Sequence, residues 1–171
     1  MTGFGVIEER GGHFHHLGHG VIRAVAKAPL EIRLREIFIE LTRTIVLYRP
    51  DAVAVEGLFA FKNARSALIL GHARGIALLV AAQTDLPVHE YPPARVKKSV
   101  GAGGAGDKGA VMRMVTTFLR LPVIDQVDAS DALAVAICHL NHSRTAFSPP
   151  VATPRLRPTA SPAYIRFAAV K

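Results

Sequence analysis

Residues 51–57 read "DAVAVEG": four small apolar residues follow Asp51, and Glu56 and Gly57 end the run. An apolar run this short, bounded by proline and glycine, predicts a buried strand rather than a helix. The flanking segments differ, because apolar residues recur every three or four positions from Pro29 to Tyr48 and again along one face of residues 63–83. This period predicts an amphipathic helix on each side of the strand.

The rest of the chain continues this alternation of strands and helices. Its order predicts a mixed sheet with helices on its faces, which is a layered α/β domain. The further predicted elements are a β-hairpin over residues 2–24 that turns at Gly11-Gly12, a short strand over 86–93, helical pieces over 93–101 and 107–121, and a last helix from about Asp128 to His142.

The length and composition fit one folded domain. A chain of 171 residues can bury a core of its own. Its longest apolar run, "IALLVAA" at 76–82, is far shorter than the roughly 20 residues that span a bilayer, and no secretory signal is visible. The single Cys138 lies in an apolar helical pattern, so we expect a buried thiol in a reducing cytoplasm. His139 and His142 on the last helix could lie near acidic residues, but we expect them to be ordinary polar residues at the helix end.

The positive charge is concentrated after residue 143. The net charge is +8, but five basic residues and no acids lie in 144–171, which leaves a surplus of only three for residues 1–143. A polyanionic partner would therefore meet a local patch of the folded part. We predict a domain over 1–143 and a flexible, proline-rich basic tail over 144–171. The final "AYIRFAAV" could dock as a strand or aggregate, and the sequence leaves both open.

Three acids are placed where a metal site could form. Glu56 ends the buried strand, and Asp128 and Asp131 lie about one turn apart at the start of the last helix. Mg²⁺ needs carboxylates that converge from different elements, and the carboxyl ends of parallel strands line the functional crevice of an α/β sheet. The alternatives are an exposed carboxylate at the strand end and an aspartate pair that caps the helix. Two-metal cleavage calls for a fourth acid. We find no obvious candidate, because Glu8 and Glu9 lie at the turn end of their strand.

Cations beside flexible or aromatic residues suggest contacts with nucleic acid. Lys97 and Lys108 flank the loop "GAGGAG", whose glycines would let its backbone approach phosphates closely. Phe59 is followed by Lys62, a combination that suits unstacked bases and their phosphates. The alternatives are an ordinary solvated loop and a phenylalanine packed in the core.

Three long stretches together resemble the RuvC family of Holliday-junction resolvases, and the resemblance extends in register from Thr2 to about His142. They are "AVEGLFAFKNARSALILGHARG", "VHEYPPARVKKSVGAGGAGDKGAV" and "DASDALAVAICH". The resemblance implies an RNase H-like fold with a mixed five-stranded sheet flanked by helices. It also implies a cytoplasmic homodimer without membrane contact, a RuvA–RuvB branch-migration complex as partner, and Mg²⁺-dependent paired nicking of four-way DNA junctions that leaves 5′-phosphate ends.

The resemblance also assigns roles to single residues. It implies that Glu56, Asp128 and Asp131 bind Mg²⁺, with two ions per subunit in a form that has the fourth acid. Lys108 would stabilise developing negative charge, and Phe59 would probe unpaired bases at the crossover. The residues expected to contact DNA are Phe59, Lys62, Arg65, Arg74, Lys97, Lys98 and Lys108.

The chain departs from the family at its start. RuvC proteins open with a strand similar to "LGIDPG", whose Asp is a fourth metal ligand, shortly before "TGFGV", whereas this chain begins at Met1, directly before that stretch. We expect the true start codon further upstream, and in-frame DNA encoding Asp-Pro-Gly would show it. A chain that begins at Met1 would have a gap beside a buried strand. The alternatives are then a junction-binding protein that does not cut and a divergent RNase H-like nuclease.

Overall fold

The structure is a computed structural model that describes residues 1–57, 64–102, 109–145 and 164–170. Strands and helices follow the predicted order as far as the last helix, so the layered α/β prediction is confirmed. The strands are β1 (Thr2–Arg10), β2 (His13–Ile22), β3 (Ala52–Glu56), β4 (Val88–Tyr91) and β5 (Tyr164–Val170). The helices are α1 (Leu30–Tyr48), α2 (Ala64–Gln83), α3 (Pro93–Ser99), α4 (Ala110–Leu119) and α5 (Val127–Thr145).

The first two strands form the predicted hairpin. Gly11 and Gly12 have φ angles of 58° and 82°, which glycine adopts without steric cost and which a tight hairpin turn requires. The antiparallel register runs from Arg10 opposite His13 to Thr2 opposite Ile22, with one irregularity between Val6 and Ile7.

The sheet is mixed and has the strand order β2-β1-β5-β3-β4. Strand β1 is antiparallel to β2 and to β5, whereas β3 is parallel to β5 and to β4. The central strand β5 is therefore the C-terminal one, and it joins the hairpin to the β3–β4 pair.

We placed residues 164–170 in the flexible tail and left open whether the final stretch docks as a strand, and the structure has it docked as β5. This segment pairs with Phe4–Arg10 of β1 on one side and with Ala52–Val55 of β3 on the other. Backbone N–H and C=O groups of two buried strands need partners, and a segment rich in β-branched, aromatic and small apolar residues can supply them on both edges. Residues 146–163 lie outside the described ranges, and the domain boundary at 143 stays a prediction.

Helices cover both faces of the sheet. Ala52 and Ala54 of β3 belong to a core with α3, α4 and α5, whereas Val53 and Val55 belong to a second core with α1 and α2. The short apolar run is thus buried on both faces, as predicted. Cys138 is buried in the first of these cores, as expected. None of the helices within the described ranges is long and apolar enough to cross a membrane.

Candidate functional site

Glu56 lies at the carboxyl end of β3, where the strand leaves the core. Val55 is only 2% exposed, and Glu56, the next residue, is half-buried. Its backbone is paired with Tyr91, the last residue of β4, and the N–H of Gly57 donates to the Tyr91 carbonyl at 2.9 Å. Two strands therefore end together here, and they hold Glu56 at the rim of the sheet.

Two glycines bring the start of α5 against β1. A Cβ atom on Gly3 would overlap the carbonyl oxygen of Asp128, and one on Gly5 would lie 2.7 Å from the Leu133 side chain. Any larger residue at these positions would push the helix away from the strand. The absence of two side chains thus sets how closely Asp128 approaches the sheet.

The strand register places Gly3 and Glu56 at the same edge of the sheet. Val170 of β5 is opposite Phe4 of β1 and opposite Val55 of β3. Gly3 and Glu56 each lie one residue beyond this shared level, in the same direction, since β1 runs antiparallel to β3. Two strand spacings, about 10 Å, separate β1 from β3. Asp128, packed on Gly3, and Glu56 therefore share one rim.

The aspartate pair lies inside the first turns of α5 rather than at its cap. Val127 is the first helical residue, and the N–H of Ser130 already donates to the Gln126 carbonyl at 3.0 Å. Asp128 and Asp131 are half-buried. Negative charge in the first turns of a helix interacts favourably with the helix dipole. This interaction is compatible with metal binding by the same two aspartates.

The donor set is chemically suited to a hard divalent cation. Three carboxylates offer oxygen ligands only, which is what Mg²⁺ prefers. Within the described ranges, however, no three acidic, histidine or cysteine side chains stand close enough together to hold an ion as they are. The backbone thus brings Glu56 and Asp128 to one rim, with Asp131 one helical turn further along α5, and metal binding would require their side chains to turn toward each other.

The structure describes only some of the residues that we expect to contact DNA. Phe59, Lys62 and Lys108 fall outside the described ranges, and Arg65 is described only as a residue of α2. Lys97 and Lys98 are exposed in the last turn of α3, which Val96 and Val100 anchor in the core.

Arg74 forms an ion pair that the sequence did not indicate. Its guanidinium, with the side chain 23% exposed, meets the carboxylate of Glu90 on β4. A contact with DNA would have to compete with this pair.

Sequence reasoning missed a buried polar cluster beside the rim. We expected His139 to be an ordinary polar residue, but it is only 3% exposed, and its Nδ1 lies 2.7 Å from the Tyr91 hydroxyl. Burial, with His89 and His142 nearby, lowers the pKa of His139 to about 4. Burial likewise raises the pKa of Tyr91 to about 12. The helical period could have indicated this position, because it places His139 on the same face of α5 as Asp128.

Comparison with known proteins identifies one family. The family model described as "Crossover junction endodeoxyribonuclease RuvC" matches residues 1–139. RuvC from Myxococcus xanthus is 63% identical over 148 residues, which are 85% of this chain and 78% of that protein. RuvC from Vibrio campbellii is 47% identical over 145 residues, covering 85% and 83% of the two chains.

Solved structures support the same assignment. Thermus thermophilus RuvC matches with a TM-score of 0.75 and 29% identity, covering 84% of this chain and 89% of that one. The same protein in complex with a Holliday junction substrate matches with a TM-score of 0.76 and 28% identity. The RNase H-like fold is thereby confirmed. This chain belongs to the RuvC family of crossover junction endodeoxyribonucleases.

Proposed function

We propose that this RuvC-family chain resolves four-way DNA junctions by paired symmetric nicks, with Glu56, Asp128 and Asp131 as the catalytic carboxylates. The observation that carries the proposal is the common rim: Glu56 ends β3 at the same edge where Asp128 packs on Gly3. A family relative has been solved with a Holliday junction substrate, which is the substrate class that we propose here.

The three carboxylates would hold Mg²⁺. When bound, the ion would activate the attacking water and stabilise charge on the leaving oxygen. Because Mg²⁺ takes six oxygen ligands, three carboxylates leave positions for water and for phosphate oxygens. Half-burial of Glu56, Asp128 and Asp131 supports this role, since a ligand must be accessible to DNA and yet held by the fold.

The cations would bind the DNA backbone next to this rim. Helix α3 starts at Pro93, two residues after β4 ends beside Glu56, and Lys97 and Lys98 are exposed in its last turn. We propose phosphate contacts for both. By family membership alone, phosphate contacts are also proposed for Lys62, Arg65, Arg74 and Lys108. On the same ground, Lys108 would stabilise developing negative charge and Phe59 would probe unpaired bases at the crossover.

The exposed apolar surface of α2 supports a homodimer. Leu68, Ile69, Leu70 and Leu79 are between 41% and 63% exposed. Exposed large apolar side chains gathered on one helix are a candidate interaction site. A second copy related by a two-fold axis would cover it and would match two active sites to the near two-fold symmetry of a junction. A cytoplasmic location and a RuvA–RuvB partner are proposed from family membership.

A fixed synthetic four-way junction tests the proposed activity. With Mg²⁺ we expect symmetric paired nicks, and Glu56→Gln should reduce the nicking rate by at least about 100-fold, since even groups that only orient metal ligands contribute 10- to 100-fold. Glu31→Gln, which changes an acid in the first turn of α1, is the matched control and should cut normally.

The other outcomes separate the rival functions. Junction binding without nicks at any Mg²⁺ concentration would indicate a protein that binds junctions without cutting them. Preferential cleavage of RNA–DNA hybrids would indicate a divergent RNase H-like nuclease. Salt-sensitive binding alone distinguishes none of these, because every cationic DNA-binding protein shows it.

A further inference from the structure

A buried hydrogen bond connects β4 to the middle of α5. The Tyr91 hydroxyl and His139 Nδ1 are 2.7 Å apart, and both residues are 3% exposed. Ser143 Oγ donates to the His139 carbonyl at 2.9 Å and lies 3.3 Å from His139 Nε2. Ser143 Oγ can therefore accept from Nε2–H, which leaves Nδ1 to accept from the Tyr91 hydroxyl.

The protonation states agree with this direction of donation. Burial raises the pKa of Tyr91 to about 12, so the phenol keeps its proton at neutral pH. Burial and two neighbouring histidines lower the pKa of His139 to about 4, so the imidazole is neutral and has a lone pair to accept with. The ring of His89 packs on His139 with centroids 4.4 Å apart, and His142 meets the edge of Tyr91.

This hydrogen bond joins the two elements that carry the proposed metal ligands. Tyr91 is the β-pairing partner of Glu56, and its carbonyl accepts the N–H of the following Gly57. His139 lies about two turns beyond Asp131 on α5. Tyr91 therefore moves with Glu56, and His139 moves with the aspartates.

Helix α5 is packed against the sheet along its buried length. Near its start, Asp128 and Leu133 pack on Gly3 and Gly5 of β1. Further along, His139 bonds to Tyr91 of β4. Apolar packing is non-directional, whereas this hydrogen bond ties His139 to one atom of β4.

We propose that Tyr91 and His139 are positioning residues, whose hydrogen bond sets the separation between Glu56 and the pair Asp128 and Asp131. The inference rests on the proposed metal site. It assigns no contact with the ion to Tyr91 or His139. Metal affinity falls when this bond is removed, because carboxylates held at the wrong separation share the ion poorly.

The test measures Mn²⁺ binding to the full chain without DNA. The electron paramagnetic resonance signal of free Mn²⁺ reports how much of the ion is bound. Tyr91→Phe removes one oxygen and keeps the ring, and it should weaken Mn²⁺ binding about tenfold. Tyr48→Phe makes the same change at the far edge of the sheet, where the Tyr48 hydroxyl packs beside Gly18 of β2. This control should bind Mn²⁺ as the unmodified chain does.

A double variant separates positioning from stability. Tyr91→Phe leaves a buried imidazole nitrogen without its donor, whereas Tyr91→Phe with His139→Leu removes both partners and should regain part of the lost resistance to urea. Mn²⁺ binding should stay weak in the double variant. A purely structural role would restore both properties together, and that result would overturn the inference.

The two proposals fail in distinguishable ways. Wild-type affinity for Mn²⁺ in a folded Tyr91→Phe variant would overturn the positioning role and leave the proposed nuclease intact. If the unmodified chain binds no Mn²⁺, the metal site itself is wrong and the positioning role is overturned with it.

Discussion

On the face of the sheet that α5 covers, glycines meet the helix directly, whereas on the opposite face leucines of α2 remain exposed. Every residue from Ala132 to Leu140 of α5 is at most 3% exposed. On the other face, α2 shows Leu68 at 63% and Leu79 at 47% exposure. The α5 face is thus packed to hold one helix at a fixed distance from the strand ends, and that helix carries two of the three proposed ligands. The α1–α2 face keeps apolar surface that a partner can cover.

The largest expected effect comes from adding one methyl group to the α5 face. A Cβ on Gly5 would lie 2.7 Å from the Leu133 side chain and 2.9 Å from its backbone nitrogen. Gly5→Ala must therefore displace α5, and we expect a loss of about 3 kcal/mol in the free energy of unfolding, measured with urea.

The matched control lies on the other face. A Cβ on Gly75 of α2 would meet nothing within 4 Å. Alanine is favoured over glycine in a helix, so Gly75→Ala should stabilise the protein by up to about 1 kcal/mol. Similar destabilisation by both substitutions would show that the two faces are packed alike.

The second-largest expected effect is a loss of stability of the protein in acid, and it comes from His139 on the α5 face. In the unfolded chain His139 titrates near 6.5, whereas burial and the neighbouring His89 and His142 lower its folded pKa to about 4. The unfolded state therefore binds more protons between these values. Stability is complete above about pH 6.5 and falls as the pH approaches 4, by an amount on the order of 2 kcal/mol.

Urea unfolding between pH 7 and pH 4 measures this loss. Other groups also titrate in this range, so the informative quantity is the stability difference between the unmodified chain and the double variant Tyr91→Phe/His139→Leu. We expect this difference to shrink as the pH falls. A difference that stays constant would contradict the acid sensitivity of His139.

The smallest effect on stability is expected on the α1–α2 face. Leu68→Ser should change the free energy of unfolding of the monomer by no more than about 0.5 kcal/mol, because the side chain is exposed. It should nevertheless shift the proposed dimer toward monomer in size-exclusion chromatography with light scattering. Phe118→Ser, at a 41% exposed position on α4, is the control and should leave the dimer unchanged. Loss of the dimer in Phe118→Ser but not in Leu68→Ser would show that the interface includes α4 rather than α2.

Local patterns were sufficient to predict most of the fold. The run from Ala52 to Val55, the Gly11-Gly12 turn and the helical period of α1 each depend on neighbours in sequence, and each was predicted with the correct structure. The rim formed by Glu56 and the aspartates could be anticipated because strand ends and helix starts meet at sheet edges.

Contacts between distant residues were not predictable in this way. The sequence left open that β5 docks as a strand, but its place between β1 and β3 depends on the edges of those two strands, which no local pattern reveals. The pairs Tyr91–His139 and Arg74–Glu90 likewise join separate elements. For the same reason a lone histidine in an apolar helix indicated nothing about its partner.

We propose that the α5 face brings Glu56, Asp128 and Asp131 together around a divalent cation. Crystals of this protein grown with Mn²⁺ test it most directly, since anomalous scattering identifies the ion without assumptions about the ligands. We predict a peak bound jointly by Glu56 and at least one of the two aspartates, with the side chains turned toward each other. A peak bound by other residues alone, or none beside Glu56 at saturating Mn²⁺, would contradict the claim.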